Sequence, residues 1–209
     1  MKSIKMKKVF LLVFVMGISM ALSAQEKDSS EEKVRGFQKD KLFTGGDVTI
    51  SFYTGGTTLG VSPYFGYSVT KWLDAAVSLN FIYQGQKDVY GYKYRQTNIG
   101  PGAFVRLFPV DFLYVQAQYE HNFINYKIIP PGGGSSPKFK ADVNSLLLGA
   151  GYSSGRSEGR NTYYFLSVMF DVAQLPNSPY IDSYRRMIPV VRAGFNIGLF
   201  QGRQRRRRY

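Results

Sequence analysis

Between residues 42 and 200 the chain alternates apolar and polar side chains with a period of two, and nowhere in that span does it offer the roughly 18 consecutive apolar residues of a membrane-spanning helix. A period of two places neighbouring side chains on opposite faces of an extended strand. Over 72–85, Leu73, Ala75, Val77, Leu79, Phe81 and Tyr83 share one face, with Asp74, Ala76, Ser78, Asn80 and Gln84 on the other. Over 111–126, Leu113, Val115, Ala117, Tyr119 and Phe123 oppose Gln116, Gln118, Glu120 and Asn122. Over 187–200, Val191, Ala193, Phe195, Ile197 and Leu199 oppose Arg192, Gly194, Asn196 and Gly198. Clusters of Gly, Pro, Asn, Asp and Ser punctuate these segments, predicting strands over 44–54, 58–70, 72–85, 93–107, 111–126, 141–153, 162–174 and 187–200.

A soluble sandwich also alternates, so strand length and connection length decide between the readings. Sandwich strands commonly run about 5–6 residues, whereas a tilted strand crossing a bilayer needs about 9–11, and the predicted segments are of the longer kind. Thr70–Trp72 and Pro109–Val110 make tight connections, 85–92, 127–140 and 175–186 make long ones, and 154–161 falls between. Short turns at one end and long loops at the other are the habit of a bacterial membrane barrel. Trp72, Phe108, Phe112, Tyr152, Tyr163 and Phe200 fall near one end of the strands and Tyr53, Tyr83, Tyr126 and Tyr184 near the other, as in the aromatic girdles of such barrels. The expected fold is all-β: an eight-stranded antiparallel up-and-down transmembrane β-barrel with N- and C-termini periplasmic.

The ends carry separate signals. Lys2, Lys5, Lys7 and Lys8 precede the apolar run Val9–Leu22 and the small-residue ending Ala21-Leu22-Ser23-Ala24, the layout of a cleaved signal peptide over 1–24. Residues 25–41 are charged and aperiodic and read as a flexible lead, 42–200 as the barrel, and 201–209 as a basic tail. With no cysteine, the chain has neither disulfides nor a thiolate zinc site. The net charge of +13 would suggest nucleic acid in a cytosolic protein, but export argues against that partner. Four of those charges lie in the signal and five, Arg203 and Arg205–Arg208, in the tail. That tail either is a solvated end or is drawn to an anionic surface.

The stretches Phe43-Thr44-Gly45-Gly46, Val61-Ser62-Pro63-Tyr64-Phe65-Gly66-Tyr67, Leu146-Leu147-Leu148-Gly149-Ala150-Gly151-Tyr152 and Val191-Arg192-Ala193-Gly194-Phe195-Asn196-Ile197-Gly198 resemble the small outer-membrane β-barrel proteins of Bacteroidota, related in architecture to OmpA/OmpX-like barrels. The resemblance covers 42–200 and implies outer-membrane localisation in a Gram-negative cell, with the barrel-insertion machinery as an assembly partner. It implies little about activity. Such barrels usually finish on an aromatic residue, whereas this chain continues past Phe200 to Tyr209.

An eight-stranded barrel has a lumen that side chains just fill. The inward set contains Asp74, Arg106, Glu120, Asp171 and Arg192, and lone charges in so confined a space are expensive. Asp74 is expected to pair with Arg106 near the periplasmic end, and Glu120 with Arg192 across the lumen, as a polar plug; a proton or ion path is the alternative. His121 is the only histidine. Lipid A deacylase barrels place a serine with a histidine on one strand, but Phe123, two residues on, has no hydroxyl, so no catalytic residue is assigned. Neither Gly149–Gly155 nor Pro130–Pro137 carries the remaining residues of a nucleotide-binding loop, and no cofactor or metal is implied. Lys87, Lys93, Arg95, Lys127, Lys138, Lys140, Arg185 and Arg186 cluster at the bases of the outer loops, where they either contact lipopolysaccharide phosphates or form a solvated rim. The reading is a non-enzymatic integral barrel, structural or partnered with an envelope protein; a lipid-modifying barrel enzyme using Glu120 or His121 and a narrow channel are the alternatives.

Overall fold

The structure, a computed structural model, describes residues 37–53, 55–132, 134–154, 156, 161–182 and 185–200. The expected signal peptide, most of the charged lead, Tyr184 and the tail 201–209 lie outside the described residues. Eight strands follow in order: β1 (Leu42–Tyr53), β2 (Gly56–Ser68), β3 (Leu73–Lys87), β4 (Lys93–Val110), β5 (Leu113–Ile129), β6 (Lys138–Ser154), β7 (Tyr163–Asp171) and β8 (Val190–Gly198). Each pairs antiparallel with its sequence neighbour, and β1 pairs with β8 from Phe43↔Gly198 to Ile50↔Val191, closing the barrel. Closure leaves neither edge of the sheet without a partner strand.

All eight predicted strands are present, with shifted bounds. β4, β5 and β6 run 18, 17 and 17 residues, whereas β7 and β8 run 9 each. The wall is therefore tall on one side. β1 begins and β8 ends at the same mouth, called the terminal end, together with connections 69–72, 111–112 and 155–162; connections 54–55, 88–92, 130–137 and 172–189 lie at the far end. The segregation of short and long connections is incomplete, because 54–55 is a tight far-end turn and 155–162 a longer terminal-end one.

The alternation is inverted relative to a water-soluble core. Asp47, Thr49, Ser51, Ser62, Ser78, Asn80, Asn98, Gln116, Gln118, Ser145 and Ser167 are buried inside, while Val48, Ile50, Val61, Val77, Leu79, Val105, Val115, Leu166 and Ile197 are exposed outside. An interior this narrow favours polar groups that bond one another.

The terminal half of the lumen is filled by rings: Phe43, Tyr64, Phe104, Phe108, Tyr114, Tyr163 and Phe165. Two inward glycines make room for them. A Cβ on Gly66 would stand 2.4 Å from Phe43 Cζ, and one on Gly151 2.4 Å from Tyr114 Cζ. Phe108 and Tyr163 were expected on the outer girdle but are buried here, because position 108 has the inward parity of β4 and Tyr163 that of β7. Tyr126 also departs from the expected girdle: it is half-buried and stacks on Tyr94 with ring centroids 6.0 Å apart. Trp72, Phe112, Tyr152 and Phe200 at the terminal end, and Tyr83 towards the far end, are exposed.

Candidate functional site

Near the terminal end, Asp74 and Arg106 are ladder partners across β3 and β4, yet they do not form the expected ion pair. Asp74 instead receives Nη1 and Nη2 of Arg156, at 2.9 and 3.2 Å, and the Ser68 hydroxyl at 2.8 Å. Arg156 reaches in from the β6–β7 connection, its guanidinium 3.7 Å from the centroid of Phe108 and Nη2 on the Lys71 carbonyl. Arg106 is held elsewhere. Its guanidinium carbon lies 4.3–5.2 Å from the ring centroids of Phe165, Phe104, Tyr64 and Tyr114, and its Nε donates to Gln116 Oε1 at 2.7 Å. Four rings within about 6 Å of one buried cation offer strong cation–π attraction, which competes with the carboxylate for Arg106.

From Gln116 a hydrogen-bond chain climbs the inward face of β5. Gln116 donates to Gln118 Oε1 at 2.7 Å and Gln118 to Glu120 Oε1 at 2.9 Å. Alternation puts every second residue of one strand on this face, so Gln116, Gln118, Glu120 and Asn122 form a continuous polar rail. Arg192, on β8 across the lumen, places Nη2 2.9 Å from Glu120 Oε1 and Nη1 2.9 Å from Gln118 Oε1. Asp47 lies 3.9 Å from Arg192 Nε, near enough for Coulomb attraction.

Towards the far end, Asp171 accepts from the backbone N–H groups of Leu146 and Ala173, both at 3.1 Å, and from the Ser178 hydroxyl. Ser178 belongs to the β7–β8 connection, which dips into the lumen in place of longer strands. Pro179 accepts from Gln84 Nε2, and the Tyr180 hydroxyl donates to Glu120 Oε2 at 2.6 Å. The Tyr180 ring joins Ile82, Leu147, Met169 and Val190 in a buried apolar cluster.

Both oxygens of Glu120 are occupied by donors: Gln118 and Arg192 on one, Tyr180 and Asn122 on the other. A carboxylate so committed fixes geometry and leaves no lone pair for proton transfer. His121 faces outward on β5, its Nδ1 2.7 Å from Asn144 Oδ1 and its ring edge-on to Phe123. Neither arrangement joins a nucleophile to a base.

Six of the rim cations share the outward face of β3–β6. Lys87 opposes Lys93, Arg95 opposes Lys127, Lys127 opposes Lys138, and Lys140 opposes Asn125. Four residues below Gly85, Arg95's ladder partner, the rung Phe81↔Ile99↔Phe123 is apolar, about 13 Å along the strand. Arg185 and Arg186 stand apart from these six, on the β7–β8 connection, and Arg186 Nε is bonded to Asp182 at 2.7 Å.

Sequence reasoning missed Asp47, Arg156 and Tyr180. Asp47 was available, since Phe43, Gly45, Asp47, Thr49 and Ser51 carry one parity of β1. Arg156 and Tyr180 enter from connections, where no period signals direction.

No protein-family model matches the sequence, and no curated protein matches it. Among solved structures, the chain is similar to Ail, the attachment invasion locus protein of Yersinia pestis, crystallised with the heparin analogue sucrose octasulfate, at 9% identity over 74% of this chain and 93% of that one, with a TM-score of 0.44. It is similar to Neisserial surface protein A at 11% identity, over 76% and 96% of the two chains, with a TM-score of 0.43. It is similar also to the N-terminal β-barrel domain of Pseudomonas aeruginosa OprF at 18% identity, over 74% and 97%, with a TM-score of 0.41.

Proposed function

We propose that this chain is an integral outer-membrane barrel, exported by a cleaved signal peptide, with both termini periplasmic, that serves without catalysis as a structural element or a partner in an envelope complex. The observation that carries the reading is the inversion of burial: an apolar belt faces out from the strands while buried charges and amides share the interior with aromatic rings. Exposed apolar surface on that scale has a favourable solvent only in hydrocarbon. Arg156 reaching into the terminal end and the Ser178–Tyr180 segment into the far end support a filled lumen and a non-conducting role. The protein is expected in the outer-membrane fraction, migrating faster unheated than boiled on a denaturing gel; recovery as a soluble periplasmic protein would overturn the reading.

The rim supports lipopolysaccharide as a neighbour. Like charges directly opposed across a ladder destabilise a sheet, and three such pairs stand on one face above an apolar rung. Bridging phosphates would relieve that repulsion, and in the outer leaflet they would stand at this height. Replacing Lys93, Arg95, Lys127 and Lys138 together by glutamine is expected to reduce the lipopolysaccharide retained by folded barrel extracted in mild detergent. Equal retention, quantified as bound phosphate, would remove this partner.

A further inference from the structure

We infer that the far half of the lumen is a binding pocket for a neutral phenolic group, occupied at rest by the chain's own Tyr180. Three observations meet there. The pocket matches a phenol in both halves: apolar walls from Ile82, Leu147, Met169 and Val190, and at the hydroxyl an acceptor, Glu120 Oε2 at 2.6 Å, beside a donor, Arg192 Nη2 at 3.4 Å. Tyr180 is also no part of the wall. β7 stops at Asp171 and β8 starts at Val190, and the described residues of the connection reach the barrel through separate hydrogen bonds: the Val172 N–H to the Leu146 carbonyl, Gln84 Nε2 to the Pro179 carbonyl, Ser178 to Asp171 and Ser145, and Ser51 to the Pro189 carbonyl. Finally, that connection holds Gln174, Asn177 and Arg185 at φ of 47°, 68° and 61°. Left-handed backbone at non-glycine residues is sustained only by surrounding contacts, and it concentrates in clamps and switches.

A guest whose anchors are one hydroxyl and one ring can be replaced by another molecule with the same two features. Displacing Tyr180 opens a blind chamber and not a pore, because the layer of rings around Arg106 lies on strands β1, β2, β4, β5 and β7 and does not depend on the connection. The pocket therefore suits capture from the far side of the barrel without leakage through it. A phenol, such as a tyrosyl side chain or a small aromatic alcohol, is the class that Glu120 and Arg192 recognise together; a phenolate would be repelled by Glu120, and a plain arene would leave Oε2 of the carboxylate with only the 3.5 Å contact of Asn122.

The chain contains no cysteine, so one introduced thiol reports the chamber unambiguously. Ser145 lines it, fully buried, 3.2 Å from Ser178. In folded Ser145→Cys barrel, with folding checked by the unheated gel shift, a hydrophilic maleimide should label slowly. Adding Tyr180→Ala should speed labelling by about tenfold or more, since reagent access follows the population of the opened state. p-Cresol should slow labelling of the double variant by refilling the pocket, and should speed it in the single variant by displacing Tyr180; toluene should do neither as well. Tyr180→Phe, which keeps the ring and loses the hydroxyl, should fall between. Labelling indifferent to Tyr180 and to p-cresol would overturn the inference, as would toluene matching p-cresol. The readout uses folded protein in detergent, so it stands or falls separately from membrane localisation.

Discussion

Glu120→Ala is expected to cost about 3–5 kcal/mol of folding stability, the usual penalty for stripping the partner from a buried ion pair. The carboxylate neutralises Arg192 and also accepts from Gln118, Tyr180 and Asn122. Its removal leaves the buried guanidinium with the neutral Gln118 and, at 3.9 Å, only Asp47 to balance its charge among the described residues. Urea unfolding in lipid vesicles, followed by Trp72 fluorescence, measures the loss; Trp72 is the only tryptophan and stands exposed at the terminal end. Pairing the change with Arg192→Met should recover most of it, because the expense lies in the unpaired charge and not in the absent bond. A double variant no better than the single would mean that Glu120 acts through packing.

Val77→Arg is expected to destabilise by about 2–4 kcal/mol if Val77 lies near the bilayer midplane. The same change on a water-facing position away from special contacts stays within about 0.5 kcal/mol, so this one substitution reads the solvent around the barrel. Val77 is 62% exposed on the outward face of β3, four residues from Leu73 at the terminal end and four from Phe81. The same replacement at Thr97, exposed on the outward face of β4 two residues from Arg95, serves as the positional control for the rim and should be milder. Equal unfolding midpoints for Val77→Arg and the unmodified protein in vesicles would mean that no hydrocarbon surrounds it.

The strands were legible because alternation is a property of consecutive residues: Leu73 to Tyr83 announces β3 without reference to any other segment. Bounds were less legible. β7 stops at Asp171, not 174, because the carboxylate captures the Leu146 and Ala173 amides and turns the chain inward, a choice made by groups distant in sequence. The Glu120–Arg192 contact could be expected from two inward charges of opposite sign facing one narrow space. The partner of Asp74 could not, since the competition between a carboxylate and four ring faces for Arg106 depends on where Phe165 and Tyr114 land. Arg156 carries no trace of its role: one of two arginines in a Gly- and Ser-rich connection, it looks like any solvated one.

The unequal heights of the strands give the barrel a front and a back. Around β7 and β8 the wall is 9 residues long and ends close to the apolar belt, while β4 to β6 rise to 17 or 18 with lysine and arginine along their outer face. In the outer membrane proposed for it, a neighbour gliding in the plane of the bilayer would meet acyl chains and a low parapet from one direction, and a tall electropositive screen from the other. Lateral encounters would thus be sorted by azimuth, and the barrel would hold a compass bearing within the sheet of molecules around it.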